Sequence, residues 1–518
     1  MTAPLFSIVT PVYNPPIDVL RDMIDAVRAQ TFADWELILV DDVSPDPAVR
    51  ETLRASAAAD SRIVVVEREE NGHIVAASND GIERARGEFV VLVDHDDLIT
   101  ANALKAVARA IEATPTADYL YSDEDKVDAE GNLYDTFRKP DWSPERLRGH
   151  MYTGHLSVLR TSLVRAVGGF REGFDGSQDH DLVLRVTERA RDVVHLREVL
   201  YHWRVVPGSA AGDPNAKPYA WIAGRKAVQE HLDRLGVRAT AQFAQHPSTY
   251  RIVRDPVGDD VLVSVIIPTR GGAGYVWGER RVFVIDAVRS LLERGGHRNL
   301  EIVVVYDAAT PSDVLDGLRR LAGERLVLVA YDRPFNYSEK CNLGVLASHG
   351  GVILLLNDDI EVIAPGFVTK LVAPLSEPGV GMTGARLLYS DNTIQHAGVA
   401  VWAGNYVHRF RKALDEDPGG FVTLCVDREV SALTAACAAL TRGTYERAGG
   451  LSEQLPVNFN DVDLSLKVGL LGLRRLWIAE ARAYHFESQT REVCVEAWEP
   501  AFMVNRWHMP DQDPYLPE

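Results

Sequence analysis

The sequence has few cysteines and no long apolar segment. Its 518 residues include only Cys341, Cys425, Cys437 and Cys494, and no two of them have the spacing of a paired zinc-binding motif. The apolar runs are too short to cross a membrane as a helix, and the first residues lack the charged-then-apolar pattern of a secretion signal. These absences argue against a disulfide scaffold and structural zinc. We expect a cytoplasmic protein with reduced thiols, and any contact with the inner membrane to be peripheral.

Basic residues are outnumbered as well. The chain has 55 Lys and Arg against 74 Asp and Glu, which gives a net charge of −19. A nucleic-acid partner requires a basic surface, so we expect none. A substrate that carries phosphates would need a local cation, either a metal ion or a cluster of Arg and Lys. The length favours two or more domains, each with a sizeable core.

Strand and helix patterns alternate along the first half of the chain. The segments, in order, are Phe6–Val12 (strand), Ile17–Gln30 (helix), Trp35–Val40 (strand), Val49–Ala59 (helix), Arg62–Val66 (strand), Ile74–Arg86 (helix) and Phe89–Val93 (strand). This alternation predicts an α/β fold with a mostly parallel sheet. Ligands bind such sheets at the carboxyl ends of the strands, which is where PVYN, VDDVS and VDHDD occur.

The same order of motifs occurs twice. FSIVTPVYN is matched later by VSVIIPTRG, ELILVDDVS by EIVVVYDAAT, and the segment that ends in VDHDD by one that ends in LLNDDI. Further pairs are VLRTSLVRAVGGF with ALTRGTYERAGGL and QDHDLVLRV with NDVDLSLKV, each followed by a Tyr-His dipeptide. So many ordered matches do not arise by chance. We therefore predict a tandem duplication, with one domain in residues 1–250 and the other in residues 256–518.

Three carboxylates lie close together in the segment LVDHDDLIT. Asp94, Asp96 and Asp97 follow an apolar strand at the edge where ligands bind. Mg²⁺ and Mn²⁺ prefer oxygen ligands and keep coordination positions for substrate phosphates, so the segment suits such an ion. A single Asp-x-Asp pair would more simply be a solvated acidic loop. Its position after a strand, and its recurrence as Asn357-Asp358-Asp359, favour the metal.

Other polar residues recur at matching positions. Asp42 and Asp307 each end a second strand, where a carboxylate either accepts the N–H of a uracil or thymine ring or caps the next helix. Asp179 stands at the entrance of an amphipathic helix, either as a general base for a hydroxyl or as a cap. His202 and His485 each follow a tyrosine at a repeated interval. A buried core histidine would not require that interval, whereas a histidine that completes a metal site would.

The motifs PVYN, VDDVS, ASNDGIERARGEF, VDHDD, GSQDHDL and YHWR resemble, in this order, those of family 2 glycosyltransferases of the GT-A fold. The second copy, with FNYSEKCNLGVLASHGGVILLLNDDIEV, NDVDL and YHFESQTR, is similar to rhamnosyltransferase-like members of that family. The resemblance covers most of the chain. It implies two tandem GT-A domains, each with a Rossmann-like, mostly parallel sheet, and it does not identify the sugars.

The resemblance also implies a role for each recurring residue. It implies Asp179 and Asp461 as the catalytic bases of the two units. The ligands that it implies for Mn²⁺ or Mg²⁺ are Asp96, His202, Asp359 and His485. The donor-binding residues that it implies are Pro11, Tyr13, Asp42, Asp94, Thr269, Asp307, Asn357 and Asp358.

The second copy departs from the family pattern in its donor and metal region. Asn357 replaces the first Asp of the Asp-x-Asp pair, and Thr269-Arg270 stands where the first copy has Tyr13-Asn14. We therefore expect the second copy to bind a metal less strongly. The usual Glu before the base is Gln178 in one copy and Asn460 in the other, but the base itself is present in both.

A single base without a second nucleophilic carboxylate implies inversion at the anomeric carbon. We therefore predict a bifunctional, metal-dependent, inverting glycosyltransferase that extends a bacterial cell-surface polysaccharide of the O-antigen or capsule type. The expected partners are UDP-sugar and dTDP-rhamnose donors and a glycan or lipid-linked glycan acceptor. Two alternatives stay open. One is a single active unit with the other as an acceptor-binding scaffold. The other is a sugar nucleotidyltransferase, although PVYNPP is neither Gly-rich nor basic as its phosphate loop would be.

Overall fold

The structure, a computed structural model, describes residues 3–205, 218–486 and 495–516. These residues form two compact units, one that extends to Ile252 and one from Val253 to Leu516. Each unit is built on one large mixed sheet with helices packed against it. None of the helices in the described ranges is long and apolar enough to cross a membrane.

The first unit alternates strands and helices over its first half, as predicted. Its strands are β1 (Phe6–Val12), β2 (Trp35–Asp41), β3 (Ile63–Glu67), β4 (Phe89–Leu92), β5 (Leu98–Ile99), β6 (Ala117–Val127), β7 (Leu133–Phe137), β8 (Ser157–Arg160), β9 (Asp192–Arg204), β10 (Ala239–Phe243) and β11 (Tyr250–Arg254). Its helices are α1 (Ile17–Arg28), α2 (Pro47–Ala59), α3 (His73–Arg84), α4 (Ala103–Ala113), α5 (Pro144–Gly149), α6 (Thr161–Ala166), α7 (Gln178–Thr187) and α8 (Pro218–Arg234).

The large sheet of the first unit has the strand order β3-β2-β1-β4-β8-β6-β9-β5, with β7 beside β6. Strands β1 to β4 are parallel, whereas β8 runs antiparallel to both β4 and β6. The parallel strands are nearly continuous apolar runs because both of their faces are covered. Their carboxyl ends point to one edge of the sheet, which places Asp42 and the loop after β4 close together.

The second unit repeats this pattern. Its strands are β12 (Val263–Thr269), β13 (Ala273–Val276), β14 (Glu279–Val282), β15 (Leu300–Asp307), β16 (Leu326–Tyr331), β17 (Val352–Leu356), β18 (Ile360–Val362), β19 (Val380–Leu388), β20 (Ile394–His396), β21 (Ala400–Trp402), β22 (Asn405–Val407), β23 (Arg428–Glu429), β24 (Cys437–Thr441) and β25 (Arg474–His485). Its α-helices are α9 (Phe283–Arg294), α10 (Ser312–Ala322), α11 (Tyr337–Leu346), α12 (Phe367–Val372), α13 (Arg442–Arg447), α14 (Asn460–Leu470) and α15 (Trp498–Arg506). Short 3₁₀ turns occupy Gly323–Arg325, Ala373–Ser376 and Gly420–Val422.

The order of the second large sheet is β16-β15-β12-β17-β24-β19-β25-β18, with β20 beside β19 and β23 beside β25. Position by position this is the order of the first sheet. The parallel and antiparallel pairings also correspond, since β24 runs antiparallel to β17 and β19 as β8 does to β4 and β6. The predicted α/β class and the predicted internal repeat are therefore confirmed.

Each unit contains the same set of hydrogen bonds, which we call the serine–glutamate–glycine lock, at the amino end of its large sheet. In the first unit Ser7 Oγ donates to Glu36 Oε1 at 2.6 Å and accepts from the backbone N–H of Gly87 at 2.8 Å. The matching bonds of the second unit, also at 2.6 and 2.8 Å, join Ser264 to Glu301 and to Gly350 N. Each lock ties three parallel strands of its unit together, away from the edge where ligands are expected: β1, β2 and β4 in the first unit, and β12, β15 and β17 in the second.

A second shared contact fixes the helix before the acidic loop. The side-chain amide of Asn79 bonds to both the N–H and the carbonyl of Phe170, at 2.9 and 3.0 Å. Asn342 makes the same two bonds to Leu451, at 3.1 and 3.0 Å. The preceding glycine, Gly169 in the first unit, has φ +64°, and a Cβ there would lie 2.5 Å from Asn79 Oδ1. The second glycine of the repeated Gly-Gly pair, Gly169 in one unit and Gly450 in the other, is therefore required by this contact.

Candidate functional site

Asp42 follows β2 at the carboxyl edge of the first sheet and is buried. Its Oδ1 accepts hydrogen bonds from Arg68 Nη1 at 2.6 Å and from the N–H of Gly72 at 2.9 Å. The cap of α2 is Asp46, which accepts from the N–H of Ala48 at 2.9 Å. The capping alternative for Asp42 is therefore wrong. Its carboxylate is instead held at the edge of the sheet by the loop that follows β3.

The acidic loop between β4 and β5 contains carboxylates in different surroundings. Asp97 is buried, with Oδ2 accepting from the Tyr201 hydroxyl at 2.6 Å and Oδ1 from the N–H of Arg204 at 2.8 Å. Asp94 and Asp96 are partly exposed. Burial raises the pKa of the carboxyls of Asp96 and Asp97, and the charge of Asp94 raises the pKa of both further. The loop concentrates negative charge that its neighbours only partly compensate.

Within the described ranges, one group of three side chains is close enough together that it could hold a metal ion: Asp94, Asp97 and His155. One ligand atom of each lies within 4.8 Å of the other two. Because Asp97 is already bonded to Tyr201 and Arg204, the two members with the most freedom to bind a ligand are Asp94 and His155. His155 was not among the residues predicted from the sequence.

Several contacts orient His155. Its backbone N–H donates to Glu124 Oε2 at 2.9 Å, and its backbone carbonyl accepts from the buried ammonium of Lys139. The same ammonium also donates to Glu124 at 2.8 Å. Its ring stacks on Tyr201, with 4.5 Å between ring centroids. No described residue makes a hydrogen bond to its ring nitrogens. The backbone clamp and the stacked ring therefore leave the imidazole available at the acidic loop.

A pocket at the same edge joins these residues to the predicted base. Pro11, Asp94, His155 and Asp179 all line it. The rest of the wall includes the apolar side chains of Val9, Ile74, Leu92, Phe170, Leu182 and Val183. Burial raises the pKa of Asp179 to about 6; the charge of Asp94 acts in the same direction, and His155 opposes it. The residue predicted as the base is therefore placed in a partly apolar cleft beside the acidic loop.

The alternative that Asp179 caps α7 is not supported. Its carboxylate accepts from Gln178 Nε2 at 3.2 Å rather than from the backbone of the helix. The neighbouring Asp181 is bound by Arg171 and Arg185, the latter at 2.6 Å. Asp181 is thus part of a buried ion-pair network and Asp179 is not.

His202 also reaches the acidic loop, because it pairs with Leu98 in the antiparallel register of β5 and β9. Its Nδ1 lies 2.5 Å from Asp125 Oδ1, which leaves Nε2 for another ligand. A carboxylate on the far nitrogen is the usual support of a metal-binding histidine. Asp96 is not a member of the group of three described above, so Asp96 and His202 as a ligand pair remain a prediction. Tyr13 is half exposed at this edge.

In the second unit, Asp307 ends β15 and a lysine binds it. Lys340, on α11, is buried and donates to Asp307 Oδ1 at 2.8 Å and to the carbonyl of Thr269 at 2.9 Å. Thr269 Oγ1 donates to Asp358 Oδ2 at 2.5 Å. Burial raises the pKa of Asp358 to about 7, and the charge of Asp359 adds to the shift. The carboxylate at this position is therefore bound by a lysine on a helix, whereas in the first unit it is bound by Arg68.

Asn357 connects the strand end to the predicted metal ligands of the second unit. Its Oδ1 accepts from the Tyr337 hydroxyl at 3.0 Å, and its Nδ2 donates to His485 Nε2 at 3.2 Å. The same His485 nitrogen lies 3.2 Å from Asp359 Oδ1. The structure therefore brings Asp359 and His485 together. Asp461 lies in the first turn of α14. The pKa of Tyr337 is raised mainly by burial, and the charge of Asp461 adds a smaller contribution.

The family model of glycosyl transferase family 2 matches residues 7–168 and 264–425, one stretch in each unit. The chain belongs to glycosyl transferase family 2. It is 44% identical over 495 residues to an uncharacterized protein, y4gI, of Sinorhizobium fredii, which covers 94% of this chain and 54% of that protein. It is 36% identical over 520 residues to the O-antigen biosynthesis protein RfbC of Myxococcus xanthus, covering 99% of this chain and 40% of that protein. The chain thus spans about half the length of these relatives, or less.

Among solved structures, that of S. aureus TarS 1–349 in complex with UDP is 22% identical, covers 45% of this chain and 71% of that one, and has a TM-score of 0.34. The two family 2 matches begin in β1 and β12, the corresponding first strands of the two sheets. The predicted pair of tandem GT-A domains is therefore confirmed.

Divalent metals are common in glycosyltransferases of the GT-A fold, and the residues present fit such an ion. In the second unit Asp359 Oδ1 is buried and accepts no hydrogen bond from the described residues. Its 3.2 Å separation from His485 Nε2 is close to the ~3 Å between adjacent ligands of an octahedral ion with bonds of ~2.1 Å. In the first unit the group of Asp94, Asp97 and His155 also offers carboxylate oxygens and an imidazole nitrogen, although Asp94 and His155 are not the counterparts of Asp359 and His485.

Proposed function

We propose that the chain is a bifunctional, inverting glycosyltransferase that transfers sugars from nucleotide-diphosphate donors to a growing bacterial cell-surface polysaccharide. The observation that carries the proposal is the pocket of the first unit, where Pro11, Asp94 and Asp179 share one wall. The transfer of a sugar to a hydroxyl requires a base, a charged loop and a strand end in one cleft, and all three are present here.

In the first unit Asp179 takes the proton of the acceptor hydroxyl as that oxygen attacks the anomeric carbon. A carboxyl with a pKa of about 6 is mostly ionised at neutral pH and is a stronger base than an exposed aspartate. The apolar wall of the pocket limits the access of water to the same carbon. Because one carboxylate acts and no covalent sugar intermediate is required, the configuration inverts.

A divalent metal, when bound, neutralises the charge that develops on the departing diphosphate. We propose that Asp94, Asp96, His155 and His202 supply the ligands in the first unit, and Asp359 and His485 in the second. The donor's nucleotide would lie along the strand ends that carry Asp42 and Asp307. Arg68 binds the first of these carboxylates and Lys340 the second.

The two units differ enough at the nucleotide position to favour different donors. Asp42 is bound by a guanidinium and a backbone N–H, whereas Asp307 is bound by a buried ammonium that also contacts the end of β12. We propose a UDP-sugar for the first unit and dTDP-rhamnose for the second. The RfbC relative, named for O-antigen biosynthesis, aligns with 99% of the chain and supports a polysaccharide of the O-antigen type as the product.

One observation favours the alternative of a single active unit. Asn357 Nδ2 donates to the same nitrogen of His485 that a metal would need. A metal at Asp359 must therefore displace that hydrogen bond. In this alternative the second unit binds acceptor glycan and only the first unit transfers sugar.

The test is a hydrolysis screen with UDP-sugars and dTDP-sugars on the full chain, without acceptor, in the presence of Mn²⁺. The wild type is compared with Asp179→Asn and Asp461→Asn in acceptor-dependent transfer. We expect one donor class to depend on each base. Transfer that depends on Asp179 alone supports the single-unit alternative, and no turnover of any nucleotide sugar contradicts both.

A further inference from the structure

The second unit has a hairpin that the first unit lacks. In the first unit the chain passes from β1 to α1 through residues 13–16, whereas residues 270–282 separate β12 from α9 in the second. Those residues form β13 and β14, paired antiparallel, with Trp277 and Gly278 at the turn. Both turn residues have positive φ, at 52° and 80°. Asn, Asp and Gly are the usual residues for such a turn, so a tryptophan there is strained.

The ring of Trp277 is fixed by its surroundings. It meets Tyr484 and Phe486 edge-on, with centroid distances of 5.0 and 5.5 Å, and its Nε1–H donates to the carbonyl of Ser390 at 2.8 Å. The Arg281 guanidinium lies 5.1 Å from its centroid. Half of the side chain, 51%, nevertheless remains exposed. An immobilised, half-exposed aromatic ring can bind a ligand without losing further side-chain freedom.

The hairpin lies beside the predicted metal ligands rather than beside the nucleotide. Tyr484 and Phe486 flank His485 in sequence, and the N–H of Phe486 donates to the carbonyl of Asp359 at 3.1 Å. Arg281 forms an ion pair with Glu361 of β18. Strands β25 and β18 end the sheet on the side opposite to β15, where the nucleotide is proposed to bind. With the nucleotide bound as proposed, the hairpin would lie next to the reacting end of the donor.

We propose that Trp277 is the platform of an acceptor subsite of the second unit, and that it stacks on the apolar face of a pyranose ring. The C–H groups of a sugar face carry slight positive charge and match the negative face of an indole ring. Arg281, whose guanidinium lies 5.1 Å from the centroid of the same ring, is placed to serve the hydroxyls around that face. The inference rests on the proposed function, because the pyranose belongs to the glycan that receives the second sugar.

The test uses the full chain with Trp277→Ala, Trp277→Phe and, as a control, Tyr134→Ala, which removes a half-exposed aromatic residue of the first unit. Acceptor KM is measured with p-nitrophenyl α-L-rhamnopyranoside and with the corresponding β-D-glucoside and β-D-galactoside. For the glycoside that is used, Trp277→Ala should raise KM on the order of tenfold with a much smaller change in kcat. Trp277→Phe should retain most of the affinity, and Tyr134→Ala should match the wild type.

Saturation-transfer NMR with methyl α-L-rhamnopyranoside and the other methyl glycosides reads the same contact without turnover. If the wild type hydrolyses no nucleotide sugar, the proposed function fails; a pyranoside signal that Trp277→Ala abolishes would still establish the subsite. If neither KM nor the pyranoside signal changes on loss of Trp277, the subsite is refuted. Loss of binding to vesicles of anionic lipid, with sugar binding unchanged, would assign the ring to a membrane surface and would also overturn the proposal.

Discussion

His485 Nε2 lies 3.2 Å from Asp359 Oδ1 in the second unit, and the backbone register of β18 and β25 brings these two residues together. The register pairs Ile360 with His485, so the residue before Ile360 always faces the end of β25. In the first unit the same register pairs Leu98 with His202. The topology thus brings Asp359 and His485 together in the second unit and places His202 beside the end of the acidic loop in the first.

The first prediction concerns this pair. His485→Ala should raise the Mn²⁺ concentration needed for half-maximal second-unit activity by about tenfold or more, since a ligand is lost. Excess chelator should stop transfer by the wild type, and added Mn²⁺ or Mg²⁺ should restore it. His508→Ala, which removes an exposed histidine of the same unit, is the control. Full activity of the wild type in excess chelator would refute the metal assignment.

The second prediction separates the two bases. Asp179→Asn and Asp461→Asn should each reduce a different transfer step by about 10²-fold or more, because general-base catalysis contributes on that scale. The measurement is product analysis with each donor supplied alone. The independence of the units would be disproved if either substitution stopped both steps in assays that provide the appropriate acceptor.

The third prediction concerns pH. Asp179 must be ionised to accept a proton, and burial raises its pKa to about 6. First-unit turnover should therefore be fully present well above pH 6, fall to half near pH 6 and be lost as the pH falls further, while the pKa of an exposed aspartate near 4 would keep it active to lower pH. A kcat profile that stays flat down to pH 4.5 would show that a group other than Asp179 takes the proton.

The fourth prediction concerns Asn357. Asn357→Asp removes the N–H that bonds to His485 Nε2 and adds a negative charge beside Asp359, so it should tighten Mn²⁺ binding by the second unit. The sugar that the unit transfers should not change. Calorimetric titration of the full chain with Mn²⁺ measures the effect. Equal affinity in the wild type and the variant would mean that this position does not tune the metal.

The fifth prediction is about stability. Asn79→Ala leaves the N–H and carbonyl of Phe170 without their side-chain partner. Asn342→Ala removes the same two bonds to Leu451 and also the bond that the Tyr445 hydroxyl donates to Asn342 Oδ1. Each should lower the free energy of unfolding of its own unit by about 1–3 kcal/mol. Denaturant unfolding followed by fluorescence measures this. No loss of stability in either variant would show that this contact does not stabilise the fold.

The fold could be predicted well because its signals are local. Strand and helix periodicity predicted β1 to β4 and α1 to α3 with ends within two residues, and the repeat itself showed that the order occurs twice. The largest shift at a helix start is in α2, which begins at Pro47 because Asp46 caps it. Capping residues are visible in sequence, but DDVSPDP offers several, and only the structure shows which one is used.

The candidate site was predicted only in part, because partners distant in sequence decide it. Nothing near His202 indicates that Asp125 binds its Nδ1, and nothing near Asp307 indicates Lys340. His155 was not predicted because it lies outside every repeated motif. The pairing of Leu92 with Ser157, and of Leu355 with Ala438, makes Ala436 its counterpart. The sequence signal for His155 is that a histidine stands just before a strand of the repeat in the first unit, where the second unit has an alanine.

The serine–glutamate–glycine lock has a consequence for how this duplicated protein changes with time. It lies at the amino end of each sheet, while the residues that differ between the units, such as Asn357 and Lys340, lie at the carboxyl end. Substitutions at the carboxyl end of a sheet therefore have little effect on the hydrogen bonds at its amino end. The two copies can diverge in substrate choice while the scaffold beneath stays the same, and loops exchanged between them should carry that choice across.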